Sequence, residues 1–201
     1  MLGSNRDRAL LSLAISNGAR ASELLGLRGV DVEWGEQLVR VVRKGSGAEQ
    51  WLPTSSEALV WLWLYQTEWG PVDPNAPLWV TLRRRRGAAR SPLGSEALRA
   101  VLRRANAKLG ANYTMHDLRH TCSLRMARDE HLSVRDVQLI LGHARLSTTV
   151  DTYLVEEEEQ VIRRVLDHLR RAAEQKARPV VAVAQGYDTG DLAVLFGGRP
   201  A

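Results

Sequence analysis

A mainly helical α+β fold with one small antiparallel sheet is what the sequence predicts, and three observations predict it. Apolar residues recur at helical spacing through most of the 201 residues. One region, Val30 to Pro53, instead alternates or runs apolar in short segments broken by glycine. Cap residues then mark where the helices begin and end. With 44% hydrophobic and 25% charged residues, a chain of this length supports one core and not two large ones.

In chain order, Arg6 to Asn17 carries Leu10, Leu11, Ala14 and Ile15 at helical spacing, and Asn17-Gly18 ends it. Ser22 to Leu27 reads as a second, shorter helical segment. After Gly29 the period changes: VDVEW, QLVRVV and QWLP read as strands, with Gly35 and then Lys44-Gly45-Ser46-Gly47 between them. Ser55 or Ser56 caps a helix expected to run through Trp69, and Pro71 to Pro77 is a loop. A helix from Ser95 to Lys108 follows and stops at Gly110. Thr114 with Asp117, and Ser133 with Asp136, have the spacing of capping boxes, and the helix opened by the second pair stops at Gly142. Thr148 with Asp151 would cap a short helix holding Tyr153, after which Val155 to Lys176 is long and amphipathic. The glycine-rich tail beyond Pro179 lacks a period.

The net charge of +5 favours an anionic partner, and its distribution says more than its size. Between Arg83 and Lys108 stand Arg83, Arg84, Arg85, Arg86, Arg90, Arg99, Arg103, Arg104 and Lys108, against the single acid Glu96. The one cysteine, Cys122, excludes an internal disulfide and, with no CxxC pair, argues against a structural zinc cluster. The reducing cytoplasm is the expected compartment. The longest early apolar run, Ala9 to Ile15, is too short to span a bilayer, so no membrane role is expected.

The stretch TMHDLRHT, Thr114 to Thr121, sets two histidines around an arginine. At about 100° per residue, His116, Arg119 and His120 share an arc of roughly 100° beside an apolar stripe of Met115, Leu118, Cys122 and Met126. H-x-x-x-H is also the spacing of a zinc peptidase. A guanidinium between the imidazoles repels a metal ion and attracts a phosphate, and the glutamate of H-E-x-x-H is replaced by Asp117. No metal is expected. Elsewhere, His143 follows a helix-ending glycine, Arg20 follows a helix stop with Glu23 one turn on, and Lys44 stands at a hairpin tip.

Together these segments resemble the tyrosine recombinases, the phage integrase family. A-R-A-S-E-L-L-G-L resembles their first-arginine box, H-D-L-R-H their H-x-x-R box, and L-G-H followed by T-T-V-D-T-Y the box that ends in the nucleophile. Order and spacing match from Arg6 to about Leu169. The resemblance implies the catalytic-domain fold of that family over residues 1–177, without the N-terminal core-binding domain that members carry. Either a fragment or a naturally shortened protein would look like this. The tail, 178–201, is expected to be disordered or to dock on a neighbouring protomer.

The same resemblance implies a site-specific recombinase or integrase acting on double-stranded DNA, as a homo-tetramer assembled there, with no cofactor. Tyr153 would attack the scissile phosphate and leave a 3′-phosphotyrosyl link. Arg20 and Arg119 would clamp the nonbridging oxygens, His116 and His143 would assist at the phosphate, and Lys44 would protonate the leaving 5′-oxygen. Glu23 is expected to orient these groups and His120 to pack or support. Arg83, Arg84, Arg85, Arg86, Arg103 and Arg104 are expected on the DNA backbone. Arg43 stands where many relatives have glycine. A non-catalytic DNA-binding or regulatory remnant, and a zinc-dependent hydrolase, are the alternative functions.

Overall fold

A computed structural model describes residues 3–68, 73–82, 90–142 and 154–177, with side chains from 159 onward in the last stretch. The chain divides into two compact units, Met1–Arg170 and Arg171–Ala201. Among the described residues the first unit is mainly helical with a three-stranded antiparallel sheet, as expected.

Helix α1 (Asn5–Asn17) is the central element. The Ser4 hydroxyl accepts from the Asp7 amide, and Gly18 ends the helix in the left-handed region at φ 66°. Ala9, Leu10, Leu13 and Ala14 are buried, because α1 packs against both α3 (Ser56–Thr67) and α5 (Met115–Ala127). Each fully buried leucine here contributes about 2 kcal/mol of transfer free energy. Helix α3 turns Ala58, Leu59, Leu62 and Tyr65 inward and leaves Val60 and Trp63 exposed. It stops at Thr67 with Glu68 as its cap, short of the expected Trp69. Gly70-Pro71 follow in the sequence, and proline disfavours helical backbone in the residue before it.

The short helix α2 (Ala21–Leu25) begins one residue earlier than the apolar pattern suggests, with Arg20 at its N-cap. VDVEW is not a full strand. A 3-10 turn at Gly29–Asp31 precedes the two-residue strand β1 (Val32–Glu33), because the Asp31 carboxylate accepts from the Arg28 amide at 2.9 Å and pulls the backbone into a turn. Strands β2 (Leu38–Val42) and β3 (Glu49–Pro53) pair in register Val39 to Leu52 and Val41 to Gln50. Val39, Val41 and Leu52 face the core. The hairpin closes at Arg43, whose amide donates to the Ala48 carbonyl at 2.8 Å.

Trp79 is fully buried, stacks on Tyr65 at 5.8 Å and donates from Nε1 to the Leu24 carbonyl at 2.7 Å. That bond ties the end of α2 to the core. Helix α4 (Ser95–Leu109) buries Leu98, Val101 and Leu102. Both predicted capping boxes form, at Thr114 with Asp117 on α5 and at Ser133 with Asp136 on α6 (Val134–Leu141). Helix α7 (Leu154–Ala177) buries Val161 and Val165, and Arg164 donates to the Asp136 carboxylate at 3.0 and 2.6 Å.

Candidate active site

The four last carbonyls around the end of α6 organise the site. A helix C-terminus leaves such groups without intrahelical partners and gathers partial negative charge. Here each accepts a side-chain donor from a different part of the chain. The Leu139 carbonyl accepts from Gln50 Nε2 at 3.1 Å, and that of Ile140 from Arg43 Nη2. The Leu141 carbonyl accepts from Arg119 Nη2 at 2.6 Å, and that of Gly142 from Arg20 Nη2 at 3.2 Å. Gly142 closes the helix at φ 62°, where a Cβ would also lie 2.9 Å from Arg43 Nε. Glycine is therefore required there on two counts.

Arg20 and Arg119, distant in sequence, thus meet on adjacent carbonyls. Arg119 has a second anchor, donating from Nη1 to the Gly18 carbonyl at 2.6 Å. Burial and then the positive charge of Arg20 lower the Arg119 pKa from its ordinary value. Two guanidinium groups held this close repel each other, an arrangement that favours an anion between them. Each guanidinium has five N–H donors, and two of the five carry these anchoring bonds.

Glu23 holds the second side of the site. Its side chain is fully buried. Oε1 accepts from Arg20 Nη1 at 2.9 Å and from the Lys44 amide at 3.2 Å. Oε2 accepts from the Arg20 amide at 2.8 Å and from Arg43 Nη1 at 3.1 Å. Burial alone would raise its pKa; the amide and guanidinium of Arg20, the charge of Arg43 and the amide of Lys44 outweigh burial and hold it below 4.5.

A cleft of about 610 Å³ opens beside this cluster, lined by Arg20, Lys44, Arg99, Arg103, Tyr113 and His116 among others. Lys44 and His116 are exposed at its rim. The cleft therefore gathers Arg20, Lys44 and His116 with two basic side chains of α4. Arg103 and Arg104 part company: Arg103 lines the cleft, whereas Arg104 donates to Asp7 at 3.2 Å, near the start of α1. One residue turns a helix by about 100°, so the two cannot share a face.

His120, expected to pack or support, is instead exposed. On α5 the buried direction is set by Cys122 and Met126; Arg119 lies within roughly 60° of it, and His120 lies roughly 120–160° away. Met115 and Leu118 are only half-buried. The Asp117 carboxylate is taken by the amide and hydroxyl of Thr114, at 2.8 and 2.7 Å. His143, Tyr153 and Arg83 to Arg86 lie outside the described residues.

Arg43, a departure from the family pattern, and Gln50, which no motif marks, both reach the end of α6. The signal was present. Strand alternation that buries Val39 and Val41 places residue 43 on the same inward side.

Comparison with known proteins gives the family and the fold. The model of the phage integrase family matches residues 3–160. The tyrosine recombinase XerC of Stutzerimonas stutzeri (strain A1501) is 34% identical over 177 residues, covering 85% of this chain and 54% of the relative. Among solved structures, an integrase from mycobacterium phage Brujita superposes with a TM-score of 0.62 at 19% identity, covering 85% of this chain and 53% of its own. A XerH site-specific recombinase bound to difH substrate superposes with a TM-score of 0.54 at 19% identity, over 86% of this chain and 45% of its own. The chain spans about half the length of the curated relatives it matches. A family match over most of the chain, on a fold that brings the two box arginines to one helix end, has one reading: this chain belongs to the phage integrase family of tyrosine recombinases.

Proposed function

We propose that this chain is the catalytic part of a site-specific DNA recombinase that cuts and rejoins strands through a 3′-phosphotyrosyl intermediate. The observation that carries the reading is the meeting of Arg20 and Arg119 on the adjacent carbonyls of Leu141 and Gly142, beside a cleft that holds Lys44 and His116. Residue 143, the histidine of L-G-H, is the next in the chain. An integrase of the Tn1549 transposon, solved in complex with transposon right end DNA and superposing with a TM-score of 0.51, supports DNA as the partner.

Tyr153 is the nucleophile of this proposal. A phenol ionises near pH 10, so forming the phenolate at pH 7 costs about 4 kcal/mol before attack. The Tyr153 oxygen bonds to phosphorus, its proton leaves to a base for which His116 is the candidate, and the bond to the 5′-oxygen breaks as Lys44 supplies a proton. Arg20 and Arg119 stabilise the charge that builds on the nonbridging oxygens, where prearranged donors act most strongly. Attack by a 5′-hydroxyl of a second strand reverses the step and conserves the bond. The catalytic domain spans residues 1–177 and acts in the cytoplasm as a DNA-bound tetramer, and the tail, 178–201, is either disordered or docked on a neighbouring protomer.

The test is covalent capture. Purified protein is incubated with nicked suicide duplexes from a randomised pool, and denaturant-resistant complexes are isolated and sequenced. Wild-type protein is expected to yield a linked 3′-phosphate on Tyr153, absent from Tyr153→Phe. A complex that survives in Tyr153→Phe would refute the nucleophile, and no complex with any duplex would favour a non-catalytic remnant.

A further inference from the structure

We propose that Arg43 is a positioning residue of this reaction, a clamp that holds the end of α6, the hairpin and Glu23 in one register; the catalytic part of the claim rests on the function proposed above. Arg43 is only 6% exposed, so it acts through its neighbours and not on a phosphate. Its guanidinium points three ways at once. Nε donates to Gln50 Oε1 at 2.7 Å, Nη1 to Glu23 Oε2 at 3.1 Å, and Nη2 to the Ile140 carbonyl. Gln50, oriented by the first of these bonds, passes its own Nε2 hydrogen to the Leu139 carbonyl at 3.1 Å.

Each partner leads to a group of the site. Glu23 holds the backbone and guanidinium of Arg20 and the amide of Lys44. Ile140 and Leu139 stand in the last turn of α6, whose next two carbonyls anchor Arg119 and Arg20. One planar fork therefore joins the carriers of Arg20, Lys44 and Arg119 across three elements that meet only in the folded chain. A lysine would keep the charge and the aliphatic stem yet lose the fixed fork. The close approach at Gly142, where Arg43 Nε and Cζ would lie 2.9 and 3.0 Å from an added Cβ, shows that the helix end is shaped around this side chain.

The experiment compares wild type, Arg43→Lys and Arg43→Met by two readouts. The first is amide hydrogen exchange in the free protein at Arg20, Lys44 and Gly142. Exchange there is expected to rise about tenfold or more in both variants, with the amides of α1 and α3 unchanged. Uniform loss of protection across α1 and α3 would mean a general structural role, and unchanged exchange at the three amides would mean no clamp; either overturns the proposal. The second readout is single-turnover cleavage of a captured nicked duplex at saturating protein, alongside its binding affinity. The cleavage rate is expected to fall about 10- to 100-fold while affinity stays within about twofold. The defect should persist on a duplex with a bridging 5′-sulfur, a leaving group that needs no proton. Wild-type rates in the variants, a loss confined to affinity, or complete relief by sulfur, which would confine the effect to Lys44 and leave Arg20 and Arg119 untouched, would each overturn the clamp as a device acting on all three. If wild-type protein forms no adduct, the proposed function fails, and the exchange readout still decides the clamp.

Discussion

Glu23 carries a full negative charge inside the protein because four donors surround it, two from Arg20 and one each from Arg43 and Lys44. Its folded pKa lies below its ordinary value of 4.5. A depressed carboxyl contributes stability that is fully present above the ordinary value and is lost as pH falls below 4.5 through the folded value. Glu23→Gln leaves a buried guanidinium without its counter-charge, and should destabilise by about 3 kcal/mol or more near pH 7. Urea unfolding between pH 3 and 7 checks this: the gap between wild type and Glu23→Gln should narrow toward the acid end. The neighbouring arginines are exacting in another way. Arg20→Lys and Arg119→Lys keep the charge but lose the forked geometry, and each should lower single-turnover cleavage by about 10²–10³-fold.

Helix α6 is held by charge at both ends, in the sense its dipole favours. At its start the Asp136 carboxylate accepts from the Ser133 amide at 2.9 Å and from Arg164 of α7. At its end stand Arg43, Arg119 and Arg20. Asp136→Ala removes a cap and the tether to α7 together and should cost about 2–3 kcal/mol, whereas Arg164→Met, which leaves the Ser133 cap in place, should cost less. Gly142→Ala should destabilise by about 1–3 kcal/mol, because its backbone is left-handed and its Cβ would press on Arg43. Chemical denaturation of the three variants gives the order. The element scale also shows what a pattern can tell. Cap boxes at Thr114 and Ser133 mark where α5 and α6 start, since a side chain three residues away must close on the first free amides. VDVEW misleads, because Asp31 finds partners in Arg28 and Arg40 that turn the backbone before a strand can form.

Across the described residues, basic side chains from the start of α2, the hairpin, α4 and α5 collect around one cleft, with Glu23 buried behind Arg20 and Lys44 and Glu96 paired with Arg99 at the surface. A duplex on this face would release counterions in proportion to the phosphates met. Replacing Arg103 with glutamine should flatten the dependence of binding on log salt by about 1 unit and weaken unrelated duplexes alike. Replacing Arg104, which is bound to Asp7, should change the slope less. Fluorescence anisotropy over a salt series measures both.

Helical character, the small sheet, most helix ends and the box residues are legible in the sequence, because periods, caps and motif spacing are local properties. The sequence could not show that Arg20 and Arg119 share the end of α6, nor that Arg43 joins them. The groups on which those arginines meet are the backbone carbonyls of residues 140 to 142, and a carbonyl carries no letter in a sequence. Only packing of α1, α5 and α6 decided which side chains would reach them.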